Sequence, residues 1–213
     1  MPEGGGARER RKRLTRETIA GTATALFRER GYDAVSVNDI ARAAGVSKMT
    51  VFNYFDSKEQ LLLSQLASPQ DEPAAVVRRR PAGTPALTAL RSHFVLGVQA
   101  HDRASGLCPD EDFVAFRDLI AGSRNLLGRF IEQAVREQRE LTAELLGIPG
   151  ADELGASLAA SQIVSVRLTL VEANFARIRT GRPLAEQTEL AVADADRAFA
   201  ELSSGLGATP FGE

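Results

Sequence analysis

The stretch "AGVSKMTVFNYFDSKEQL", Ala44–Leu61, constrains this chain more than any other. Gly45 permits a tight turn, Ser47 can cap a short helix, and Ser57 with Gln60 has capping-box spacing for another, so the chain must bend twice within a few residues. The helix between the bends lasts only to about Asn53. Val46, Val51 and Phe55 fit its inward side, which leaves Lys48, Met49, Phe52 and Asn53 on an outward arc that no core position needs. A helix ending in Ala-Gly-Val and followed by a Ser-capped short helix is a helix-turn-helix pattern, and its outer face predicts double-stranded DNA as the partner.

The flanking residues complete a small helical domain. Ile19, Ala23, Leu26 and Phe27 form an apolar stripe at helical spacing, predicting a helix from Thr15 to Arg30 that Gly31 ends. Ser36 with Asp39 three residues on predicts the start of the next helix, and Val37, Ile40, Ala41 and Ala44 supply its buried face.

Charge points the same way. The net charge of the 213-residue chain is only −2, yet "ARERRKRLTR", Ala7–Arg16, carries six bases and one acid. A basic head on an acidic body predicts a polyanion partner at the N-terminus. With its neighbouring glycines and no apolar face, the segment Arg8–Arg16 is expected to be disordered in the free protein.

Beyond residue 66 the pattern changes. "ASPQDEPAAVVRRRPAGTP", Ala67–Pro85, holds four prolines and no sustained apolar period, and reads as a linker or loose loop. Amphipathic helices are expected over Ala86–Ala104, Glu111–Ala121, Ser123–Leu146, Asp152–Thr180 and Leu184–Leu206. The fold class is therefore all-α: an N-terminal three-helix helix-turn-helix domain with its basic arm over 1–66, then a larger helical bundle for ligand binding and dimerisation over 67–213.

Other chemistry finds little support. One cysteine, Cys108, excludes an internal disulfide, and His93 and His101 lie too far apart to share a helical turn as zinc ligands, so no metal or cofactor is expected. No Ser/His/Asp or Cys/His spacing, paired carboxylate or phosphate loop suggests catalysis, and the chain reads as no enzyme. No apolar run reads as long enough to cross a bilayer and no secretory signal opens the chain; a cytoplasmic protein without a membrane partner is expected.

"TRETIAGTATALFRERGYDAVSVNDIARAAGVSKMTVFNYFDSKEQLL" resembles the DNA-binding domain of the TetR family of bacterial transcriptional regulators, without a gap over Thr15–Leu63. The Gly-Tyr turn, the Ile-Ala-x-x-Ala-Gly-Val-Ser core and the Tyr-Phe-x-Ser-Lys-Glu segment carry the resemblance. It implies a homodimer on a palindromic operator, released when a small molecule enters the C-terminal domain. Carried over by position, it gives Ser36, Asn38, Lys48, Met49, Thr50, Phe52, Tyr54 and Lys58 as the DNA-facing set, with Ser47 and Asn53 at the ends of the recognition helix. Lys48 can donate to guanine O6 and N7, Met49 and Phe52 can meet a thymine methyl, and Asn53 a base edge or phosphate. Tyr54, Thr50 and Lys58 suit phosphates. The family often has glycine at the position of Met49 and tyrosine at that of Phe52, so this chain loses a hydroxyl and gains apolar bulk there.

In the larger domain "LAASQIVSVRLTLVEANFARI" is apolar on more than one face, which predicts a second copy against the C-terminal helices. An apolar pocket between bundle helices is expected to take a small hydrophobic effector, with Phe94, Val98, Phe113, Phe116, Leu127, Phe130, Arg167 and Asn174 as its candidate lining. Arg167 needs a partner: a structural salt bridge to Asp112, Asp118 or Glu172 is the first reading, and a ligand anchor the second. The alternative to effector control is a DNA-binding dimer governed by a protein partner, or acting as an activator, with no small ligand.

Overall fold

The computed structural model describes residues 4–206, and all regular structure among them is helical. The chain divides into two compact units, one ending at Leu66 and the other beginning at Ala67.

The first unit holds α1 (Gly4–Arg30), α2 (Val37–Ala43), α3 (Lys48–Phe52) and α4 (Lys58–Leu63). Each of the three short helices opens on a serine whose hydroxyl accepts from the backbone three residues on: Ser36 from Asp39, Ser47 from Thr50, Ser57 from Gln60. Helices of five to seven residues are too short to stand alone in water. Their stability comes from a shared core: Ile19, Ala23 and Phe27 of α1, Ile40 of α2, Val51 of α3 and Leu61–Leu63 of α4 are all buried. Each such leucine contributes roughly 1.5–3 kcal/mol. At the turn into α3, Gly45 adopts φ 67° while the Val46 amide donates to the Ala41 carbonyl at 3.0 Å.

Two expectations need correction here. The segment Arg8–Arg16 is helical, because α1 starts at Gly4 rather than at Thr15. Its arginines, lysine and leucine are good helix formers, and Arg13 pairs with Glu17 one turn on at 3.6 Å. The proline-rich stretch is also no simple linker: Pro73–Arg79 forms α5, with Pro73 at the first helical turn and Ala74, Val76 and Val77 buried. Proline there starts a helix instead of breaking it.

The second unit adds α6 (Ala86–Gln99), a 3₁₀ turn (Arg103–Ser105), α7 (Glu111–Gly122), α8 (Arg124–Leu146), α9 (Glu153–Ile178) and α10 (Leu184–Leu206). α9 packs on α8 and α10, α6 on α10, and α5 on α6 and α8. Fully buried alanines, Ala156, Ala159 and Ala160 on α9 with Ala191 and Ala195 on α10, let backbones approach closely. Leu90, Phe94, Val98, Leu141, Leu145, Ile163 and Phe199 fill the core around them. The turn after the 3₁₀ segment comes closer still. Gly106 has φ 79°, and a Cβ on it would lie 2.3 Å from the Val171 carbonyl oxygen, so no other residue fits without a shift.

α9 is 26 residues long with a mean hydropathy of 1.5 in its most apolar window, enough by length and composition to cross a membrane. The expectation that no run reaches that length is thereby corrected. Its apolar residues Ile163, Val164, Leu170 and Val171 are buried in the packed core.

Candidate nucleic-acid interface

α3 presents two faces. Val51 and, just after the helix, Phe55 are each 1% exposed and anchor it, whereas Met49 is 70% exposed and Phe52 39%. Lys48 and Asn53 are exposed beside them. An exposed Met–Phe pair flanked by a lysine and an asparagine offers apolar and hydrogen-bonding groups together, the mixture that reads base edges. Lys48 Nζ lies 5.8 Å from the Phe52 ring centroid, so the two side chains occupy one patch.

The helix is held at both ends. Ser47 Oγ accepts from the Thr50 amide at 2.9 Å and lies 2.8 Å from the Thr50 hydroxyl. At the far end the Arg16 guanidinium donates to the Tyr54 carbonyl at 3.0 Å and stacks 4.5 Å from the Phe55 ring centroid. Arg16 was absent from the sequence-predicted set. Its partner is 38 residues away, and no local spacing announces it.

The remaining predicted contacts have mixed settings. Asn38 is exposed, and Ser36 is exposed with its hydroxyl 2.5 Å from the Asp39 carboxylate. That bond, first among several, holds the Asp39 carboxyl below the usual range. Thr50 and Tyr54 are half-buried. Lys58 is half-buried too, with Nζ 4.0 Å over the Tyr32 ring. Burial, and then the charge of Glu59, push the Tyr32 hydroxyl up, so it stays neutral at any physiological pH.

The second unit contains a small cavity of about 20 Å³ within a hollow of about 410 Å³ that includes open solvent. Val76, Leu90, Phe94, Ile163 and Phe199 form its apolar walls, and Asp71, His93, Asp102, Ser105 and Arg167 its polar ones. Of the predicted effector residues, Phe94 and Arg167 line it. Val98 is wholly buried in the core, and Asn174, also buried, donates to the Ser105 carbonyl at 2.9 Å. Phe113 packs edge-on against Phe175 at 6.0 Å, Phe116 is buried and Leu127 is 43% exposed. Phe130 lies 5.7 Å from the guanidinium of Arg117. The structure therefore gathers these eight residues into more than one place.

Arg167 pairs with Glu137 at 2.5 Å, and not with Asp112, Asp118 or Glu172. Glu172 instead pairs with Arg117, a nearly buried guanidinium stacked 4.9 Å from Phe175, and Asp118 with Arg179. Packing thus supplies Arg167 with a carboxylate of α8 that lies outside the three expected.

Comparison with known proteins gives four matches of note. Residues 19–64 match the family model of bacterial regulatory proteins, tetR family. The HTH-type transcriptional regulator TcmR of Streptomyces glaucescens is 29% identical over 153 residues, 71% of this chain and 67% of TcmR. The HTH-type transcriptional activator FasR of Mycolicibacterium smegmatis is 36% identical over 78 residues, 35% of this chain and only 36% of FasR. Among solved structures, NalD of Pseudomonas aeruginosa, described as the secondary repressor of the MexAB-OprM multidrug efflux pump, aligns at 21% identity over 87% of this chain and 96% of its own, with a TM-score of 0.48.

Proposed function

This chain belongs to the tetR family of bacterial regulatory proteins and is a DNA-binding transcriptional regulator, and from that premise we propose that it acts in the cytoplasm as a homodimeric repressor on a palindromic operator, released by a small effector. The observation that carries the reading is the outward face of α3, where Met49 and Phe52 stay exposed while Val51 and Phe55 anchor the helix. We assign base reading to Lys48, Met49, Phe52 and Asn53. Phosphate contacts go to Ser36, Asn38, Ser47, Thr50, Tyr54 and Lys58.

Exposed leucines support a second copy against the last two helices: Leu154 and Leu158 on α9 are 69% and 53% exposed, and Leu190 on α10 is 43% exposed. The cavity of the second unit supports effector control, since it joins apolar walls to a few convergent polar groups. By linkage, an effector that weakens DNA binding a hundredfold must bind the DNA complex a hundredfold more weakly, a coupling of about 2.7 kcal/mol. The role of FasR as a transcriptional activator favours one second reading, in which the same dimer recruits transcription instead of blocking it.

Footprinting on the DNA that flanks the protein's own gene tests the proposal. A protected site with dyad symmetry and half-sites about 34–36 Å apart, or a multiple of that, is expected. Protection without dyad symmetry would remove the dimer, and transcription that rises on binding would reverse the sign.

A further inference from the structure

The cavity of the second unit has an electrostatic bias that its apolar walls do not reveal. Two carboxylates stand on its lining, Asp71 and Asp102, against one guanidinium, Arg167. That guanidinium is matched by Glu137 through one terminal nitrogen, while its Nε is buried without a hydrogen-bond partner. One cation thus faces three carboxylates, with His93 the remaining titratable side chain of the lining.

Both carboxylates are held in place. Asp102 Oδ1 accepts from the Ser105 amide at 2.7 Å, and Oδ2 lies 2.5 Å from where a Cβ on residue 97 would sit, so Gly97 leaves the room that the carboxylate occupies against α6. Asp71 accepts from the Ser68 amide at 3.0 Å and lies 3.2 Å from His93 Nε2. The bond to His93 is the main reason its carboxyl sits below the usual range, and it stays ionised at neutral pH. Phe94 and Phe199, on the same lining, tilt together with ring centroids 6.4 Å apart.

An anion entering here meets an excess of like charge. A neutral guest covers the two carboxylates and can return at most a hydrogen bond for the water they lose. A cation satisfies both, and gains from the aromatic faces as well. Resting on the reading of this cavity as the effector site, we propose that its ligand is a compact amphipathic amine, with its ammonium toward Asp102 and Asp71 and its apolar body against Phe94 and Phe199.

Three probes of one shape test this by calorimetric titration of the full chain: 3-phenylpropylamine, 3-phenylpropanol and 3-phenylpropionate. The amine should bind at least about tenfold more tightly than the acid, with the alcohol between them. Asp102→Asn keeps an acceptor for the Ser105 amide, so the turn should persist, yet it should weaken the amine by about fivefold or more and leave the alcohol nearly unchanged. An acid that binds as well as the amine, an amine no better than the alcohol, or no saturable binding by any probe overturns the proposal. Operator binding measured with each saturating probe separates the two levels of the argument. Release of DNA by the acid alone would keep the effector site and discard its charge preference, whereas an amine that binds as expected and leaves DNA affinity untouched would keep the ligand class and discard the effector role.

Discussion

The two units are held together by signals of different range. In the first, each short helix is opened by a serine that reaches three residues ahead, and glycine at 31 and 45 marks the turns. In the second, Arg167 answers Glu137 across 30 residues and Arg117 answers Glu172 across 55. Local signals, with one long-range clamp from Arg16 to Tyr54, build a platform that can be reused on DNA. Long-range pairs build an interior whose polar groups depend on one another, and such an interior can be altered by a guest.

The contrast can be broken most directly at Glu137. Its side chain is 10% exposed and that of Arg167 13%, so Glu137→Ala strands a buried guanidinium and should cost about 3–5 kcal/mol in urea denaturation. A loss below about 1 kcal/mol would show that the pair is not a structural centre of the second unit. Gly106→Ala comes next. Its Cβ would meet the Val171 carbonyl, and a loss of about 2–4 kcal/mol is expected, measured the same way.

On the platform the effects are smaller and separable. Lys48→Ala should relax preference at one base pair by about 1–3 kcal/mol, read by binding to a set of operator variants, with denaturation unchanged. Uniform weakening on every variant would remove Lys48 from base reading. Ser57→Ala removes the cap of α4 and should cost about 1 kcal/mol of stability, well below the Glu137 change. The smallest effect belongs to Lys58→Ala, which should flatten the salt dependence of binding by about one unit of slope. If the slope holds and only stability falls, Lys58 serves the Tyr32 ring and not a phosphate.

The same division explains what could be read in advance. Ser36, Ser47 and Ser57 announce their helices within four residues, and the spacing of Ile19, Ala23 and Phe27 announces the core, so the first unit was largely legible. α3 and its outward residues followed from the same marks. Arg16 was not legible as the clamp on Tyr54, because the last base of a basic helical run carries no sign of a partner 38 residues on. Pro73 misled for a related reason: proline either opens or breaks a helix, and burial of Ala74 and Val77 decided which. The cavity was legible only at Phe94 and Arg167. Which phenylalanines line a space and which fill one depends on helix rotations that apolar spacing leaves open.

α1 carries a further consequence. At 27 residues it is about 40 Å long, and Ile19 is its first buried residue among those with described side chains. Arg10, Arg11, Lys12 and Arg13 follow one another without a gap, and successive helical residues turn by about 100°. Four of them in a row point around the whole circumference. The helix therefore projects a positive field with no preferred side, which draws a polyanion from any direction of approach but cannot tell one orientation from another. It speeds the encounter, and leaves the choice of register to Lys48, Met49, Phe52 and Asn53.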